Sequence, residues 1–167
     1  MSAPPLQAAA LHRALVTLLR ELVDGASANA CWVLNRNDPG LLQSLEHLSA
    51  DTASKPGPAG GASVAAHVDH LRYGFELLNR YTRGEEPFST ADWAASWRRG
   101  TVSEDQWAER RKALADELNQ WRRFLEVPRE VSEVELTGML ASAIHLGYHL
   151  GAIRQIAPSS RGPREPG

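Results

Sequence analysis

The chain has 167 residues, with 18 Lys+Arg against 20 Asp+Glu and a formal net charge of -2. That is the length of one domain, and 43% hydrophobic with 23% charged residues excludes wholesale disorder. The charge balance argues against a nucleic-acid binder, and a single cysteine, Cys31, excludes both an internal disulfide and a cysteine-built zinc knuckle, so a reducing, cytoplasmic setting is expected.

Met1–Gln7 lacks the positively charged region of a secretory leader. Apolar residues at three and four spacing predict a first helix from about Leu6 to Val23, closed by Gly25. Asp38 as N-cap and Pro39 at the first helical position predict a short helix to about Leu48. The Ser-, Pro- and Gly-rich stretch Ala50–Gly61 reads as a loop. A second long helix is expected from Ser63 to Thr82, before Gly84. Glu85–Gly100 reads as an irregular connection, with Trp93 and Trp97 folded back as packing anchors. Ser103 with Gln106, and Ser132 with Glu135, have capping-box spacing and open the third and fourth long helices. The fourth ends before Pro158, and the Pro-, Gly-, Ser- and Arg-rich segment from there to Gly167 reads as a disordered tail. No alternating β pattern occurs. The expectation is an all-α four-helix bundle over residues 1–157, with a short extra helix and a long connection between the second and third long helices.

Leu136–Ile153 carries no Asp, Glu, Lys or Arg, yet Thr137, Ser142, His145, Tyr148 and His149 make it too polar for lipid. It reads as a helix buried on most sides. His145 and His149, four apart, lie one above the other and can reach one ion. The bland alternative is a pair of core or surface histidines. Burial without partners costs about 1–3 kcal/mol for each unmet polar group, and a shared metal removes that cost. Gly138, Ala141 and Ala152 on the same face leave room around the rings.

A catalytic metal needs a further protein ligand and an open position. The second long helix offers His67 and His70. His67 falls on the apolar stripe with Val64, Leu71, Gly74 and Leu78, whereas His70, about 60° away, groups with Tyr73 and Leu77 at a boundary. His67 is therefore the preferred ligand, with His70 a neighbour; a core histidine bonded to a carbonyl is the alternative for His67. His12 and His47 read as solvated, and Cys31 as a small buried apolar residue. Arginines 98, 99, 110, 111, 122 and 123 interleave with Glu104, Asp105, Glu109, Asp116, Glu117 and Glu126, which predicts a solvated helix face and no nucleic-acid patch.

Taken in order, His67-Val-Asp-His70-Leu in the second long helix, the tryptophans Trp93, Trp97 and Trp107, and His145-Leu-Gly-Tyr-His149 followed by Gln155 resemble the DinB/YfiT-like family of metal-binding four-helix bundles. The resemblance covers roughly Leu6 to Ile156. It implies a metal held by His67, His145 and His149. It also implies either transfer of a low-molecular-weight thiol to an electrophile, with the metal activating the thiolate, or a metal-dependent hydrolase using hydroxide, or a non-catalytic metal-binding scaffold. Imidazole suits zinc, nickel, copper and iron alike, and zinc is the first choice with nickel the second. The expected partners are a small-molecule substrate and a small thiol, with no membrane and with pairing into a homodimer through exposed helix faces. The histidine pair lacks the glutamate of H-E-x-x-H peptidases, since Leu146 stands there, and Leu136–Ile153 offers no carboxylate for proton shuttling. Asp69 and Glu76 are the nearest candidates, and Asp69 points about 160° away from His67. That favours thiol activation.

Overall fold

The computed structural model describes residues 8–29, 31–98 and 100–162. Six α-helices carry the fold, α1 (Ala8–Asp24), α2 (Leu41–Glu46), α3 (Ala50–Ser54), α4 (Val64–Thr82), α5 (Glu104–Leu125) and α6 (Glu133–Ile156). The four long ones form the expected bundle: α4 packs against α5 and α6, and α1 packs against the same two. Among the described residues there is no strand, and no helix is long and apolar enough to cross a membrane.

Local chemistry sets the helix ends. Ser63 accepts from the Ala66 N–H to start α4, and full capping boxes at Ser103/Gln106 and Ser132/Glu135 start α5 and α6. Gly25 stops α1 in a left-handed conformation (φ 115°). Leu15, Leu19, Leu71, Leu114, Leu118 and Leu146 fill the centre. Trp107 is fully buried with its indole N–H donating to the Leu48 carbonyl. Trp121 donates to Ser142 Oγ at 2.9 Å and so ties α5 to α6.

Several expectations need correction. Asp38 does not cap α2; Gly40 does, without a side-chain bond. The Asp38 carboxylate is instead buried in an ion pair with Arg154 of α6, 3.0 Å away. The stretch expected as a loop contains α3, capped by Ser49, because Glu104 accepts from the Ala50 N–H and Ser54 accepts from the Val102 N–H. His12 is buried, with its ring nitrogens on the carbonyls of Leu125 and Arg129. Cys31 is exposed, since the buried Glu21 carboxylate takes the N–H groups of Trp32, Val33 and Leu34 and fixes that segment on the outside. Arg110 is buried against Asp69. One face of α6 is open, with Ile144 72% and Tyr148 69% exposed. Pro158–Ser160 form a 3-10 turn with Ser160 buried, and residues 163–167 of the expected tail lie outside the described residues.

Candidate metal centre

Four histidines meet between α4 and α6. His67 and His70 stand one turn apart on α4, and His145 and His149 one turn apart on α6. His67, His70 and His149 are buried, while His145 is partly open. The His145 and His149 rings are 4.4 Å apart, and His70 lies 5.2 Å from His145 and 5.0 Å from His149. Ligand atoms of His70, His145 and His149 all fall within 4.8 Å of one another, a spacing that one ion can draw together.

His67 joins the cluster through its Nδ1, which lies 2.8 Å from His149 Nδ1. Of the three residues expected from the sequence, His145 and His149 fall in this converging group, whereas His67 stands outside it and touches it through His149; His70 takes the position from which a nitrogen can share an ion with the α6 pair. By helical pitch His70 sits at a boundary of α4, but the connection between α4 and α5 covers it. Trp97 stacks on His70 at 4.2 Å and meets His67 edge-on at 5.2 Å, and Trp93 leans over His70 at 5.6 Å. These indoles are indeed folded back, and what they pack on is imidazole.

Hydrogen bonds fix which nitrogens are free. Ser96 Oγ has a single proton and donates it to the Trp93 carbonyl at 2.7 Å, so towards His70 Nδ1, 2.9 Å away, it accepts. His70 therefore carries its proton on Nδ1 and leaves the Nε2 lone pair for a ligand role. His149 Nε2 is buried and has no hydrogen-bond partner among the described residues. A buried, unmet imidazole nitrogen is costly, and a cation beside it would meet that need. For this nitrogen to coordinate, His149 must donate from Nδ1 to His67, which makes His67 the group that orients it. The donor set fits a divalent transition metal.

Burial holds the whole cluster neutral. His149 is pushed down to about 3, by burial first and then by His145, His67 and His70. His70 is lowered to about 4 by burial, then by His145 and His67. Burial also lowers His67 and His145. An unfolded chain takes up protons near pH 6.5, while the folded cluster resists until much lower pH. The cluster's contribution to stability is therefore complete above about pH 6.5 and declines as pH falls towards 4 and then 3. Metal-stripped protein should lose melting temperature steadily between pH 7 and pH 5, followed by circular dichroism. A flat profile over that range would contradict a neutral cluster.

Other candidates lie elsewhere. Asp69 pairs with Arg110 at 3.2 Å, and Glu76 with Arg72 at 2.6 Å. Tyr148 packs edge-on against His149 with its ring largely exposed. Gln155 accepts from Arg161, and His47 is exposed.

A search of the curated proteins and one of the solved structures return no match to the chain. The model of the DinB superfamily matches residues 34–153, a span that runs from the loop before α2 into the last turn of α6 and contains all four clustered histidines. Helical bundle, histidine placement and this match agree: the chain belongs to the DinB superfamily.

Proposed function

We propose that this protein is a metal-dependent enzyme of the thiol-transfer type, with His70, His145 and His149 holding a divalent transition metal and His67 orienting His149. The observation that carries the reading is the convergence of three neutral imidazoles, one of them with an otherwise unmet buried nitrogen. Zinc is the first choice and nickel the second, both suited to an all-imidazole set. When bound, such a cation keeps its full positive charge and lowers the pKa of a coordinating thiol or water.

The chain's own residues favour one of the two chemistries. Trp93 and Trp97 screen the cluster from water on the α4 side, and Ser96 and His67 hold two imidazoles in the tautomer that coordinates. A hydrolytic centre also wants a carboxylate to move a proton. The two nearest in the sequence, Asp69 and Glu76, are committed to arginines. Thiol activation needs no such base, which supports the transferase reading over the hydrolase one.

The test is a panel of small thiols with a chromogenic electrophile, run on metal-replete protein beside ester and amide substrates. Thiol-dependent colour that disappears on chelation is expected. Ester or amide turnover without thiol would favour hydrolysis, and silence in every arm would leave a non-catalytic metal-binding scaffold. The protein's setting is proposed to be cytoplasmic, on its single cysteine, and pairing into a homodimer is proposed through exposed helix faces away from the histidines.

A further inference from the structure

An open groove of about 720 Å³ lies between α4 and α6 and starts at the His70 and His145 rings. Phe75, Leu78, Phe88 and Trp93 wall it, and Gly138 and Ala141 keep the α6 side low. Among the described residues, no Asp, Glu, Lys or Arg lines it. Its aliphatic hydroxyl, on Ser142, is already engaged, donating to the Met139 carbonyl and accepting from Trp121. A second hollow of about 520 Å³ shares Leu78, Phe88 and Gly138 with the first and continues away from the histidines; Glu85 and Arg129 line it.

A charged group placed in the first hollow would meet no opposite charge among the described residues, only the two imidazoles and the Tyr148 hydroxyl, whereas an apolar chain would gain burial along the wall it lies on. The volume is that of a small-molecule site. We infer that this groove binds an elongated, uncharged apolar small molecule, with its reactive end at His70 and His145 and its chain running towards Gly138. The inference rests on the metal-centre reading for which end reacts; the affinity for an apolar chain stands on the groove alone.

Gly138 supplies the test, because a Cβ there meets no atom within 4 Å. Gly138→Trp therefore puts a side chain into open groove, on a helix that prefers almost any residue to glycine. Cobalt-loaded protein is titrated with straight-chain thiols from ethanethiol to decanethiol, and with 2-mercaptoethanesulfonate, following thiolate-to-cobalt absorption. Affinity should rise about three- to fourfold per methylene, with no gain for the sulfonate over ethanethiol. Gly138→Trp should cut the rise short while cobalt content stays unchanged. A parallel arm titrates metal-free protein with 1-octanol and follows indole fluorescence, with Trp93→Phe identifying the reporter on the groove wall.

The outcomes separate the two readings. Normal cobalt loading with a flat thiol series would overturn the groove inference and leave the metal centre standing. Failed cobalt loading, with a Trp93 response to octanol that Gly138→Trp abolishes, would support the groove and sink the metal reading. A dimer dispersed by Ile144→Glu, with no octanol uptake, would show that a second copy of the chain covers the groove and would also overturn the inference.

Discussion

His149→Ala should empty the metal centre. Structural zinc sites share about 10–16 kcal/mol among their ligands, so removing one imidazole costs roughly a hundredfold to a thousandfold in affinity. His70→Ala and His145→Ala should fall in the same range, since the three offer ligand atoms within 4.8 Å of one another. His67→Ala should cost only about tenfold, as expected of a group that orients a ligand, because its contact is with His149 Nδ1. Ser96→Ala belongs with His67, since it releases His70 Nδ1. Chelator competition on protein purified without an affinity tag measures all five. The reverse pattern, with His67→Ala emptying the site and His70→Ala keeping it, would make His67 the ligand contributed by α4.

The fold was legible wherever local chemistry decides. Both capping boxes, the Ser63 start and the Gly25 stop are short-range events whose residues stand within a turn of one another, and α4, α5 and α6 begin where those signals place them. What the sequence hid are pairings across long separations. Asp38 has the look of a cap until Arg154, far along the chain, takes its carboxylate. Ala50–Ser54 has loop composition, and becomes α3 through bonds to Glu104 and from Val102 that no local pattern announces. His12 reads as solvated because the two carbonyls its ring meets, at the end of α5 and just beyond it, are invisible from α1.

The centre divides in the same way. The α6 pair was readable from its spacing together with the uncharged helix around it. The choice between His67 and His70 turned on an apolar stripe, which reports what faces neighbouring helices. At this site the irregular connection also covers α4, and Trp97 lies flat on His70. The signal that could have found it was the run Trp93 to Trp97 with Ser96 inside it, two large aromatics and a hydroxyl in a segment otherwise short of apolar residues. Similarly, α6 is uncharged from Leu136 to Ile153, which suggested burial on most sides. Its open face instead borders the groove that starts at the histidines.

The largest stability effect is expected at Asp69. Both it and Arg110 are almost fully buried, at 7% and 11% side-chain exposure, and they face each other across α4 and α5. Removing one member of a buried ion pair typically costs about 3–5 kcal/mol, because the other charge stays in place without compensation. Against a total stability of about 5–15 kcal/mol, Asp69→Ala should lower the melting temperature by roughly 6–20 °C. Replacing both partners with apolar residues, as in Asp69→Leu with Arg110→Met, should recover most of that loss, since a buried pair is often no better than a well-packed apolar one. The double variant also bears on the chemistry. Asp69 is the carboxylate that a hydrolytic mechanism would draw on, and its commitment to Arg110 makes it part of the packing. Metal content and thiol-dependent turnover should therefore survive in the double variant once folding is restored. Turnover that disappears while metal and melting temperature return would show Asp69 moving a proton, and would shift the balance to hydrolysis.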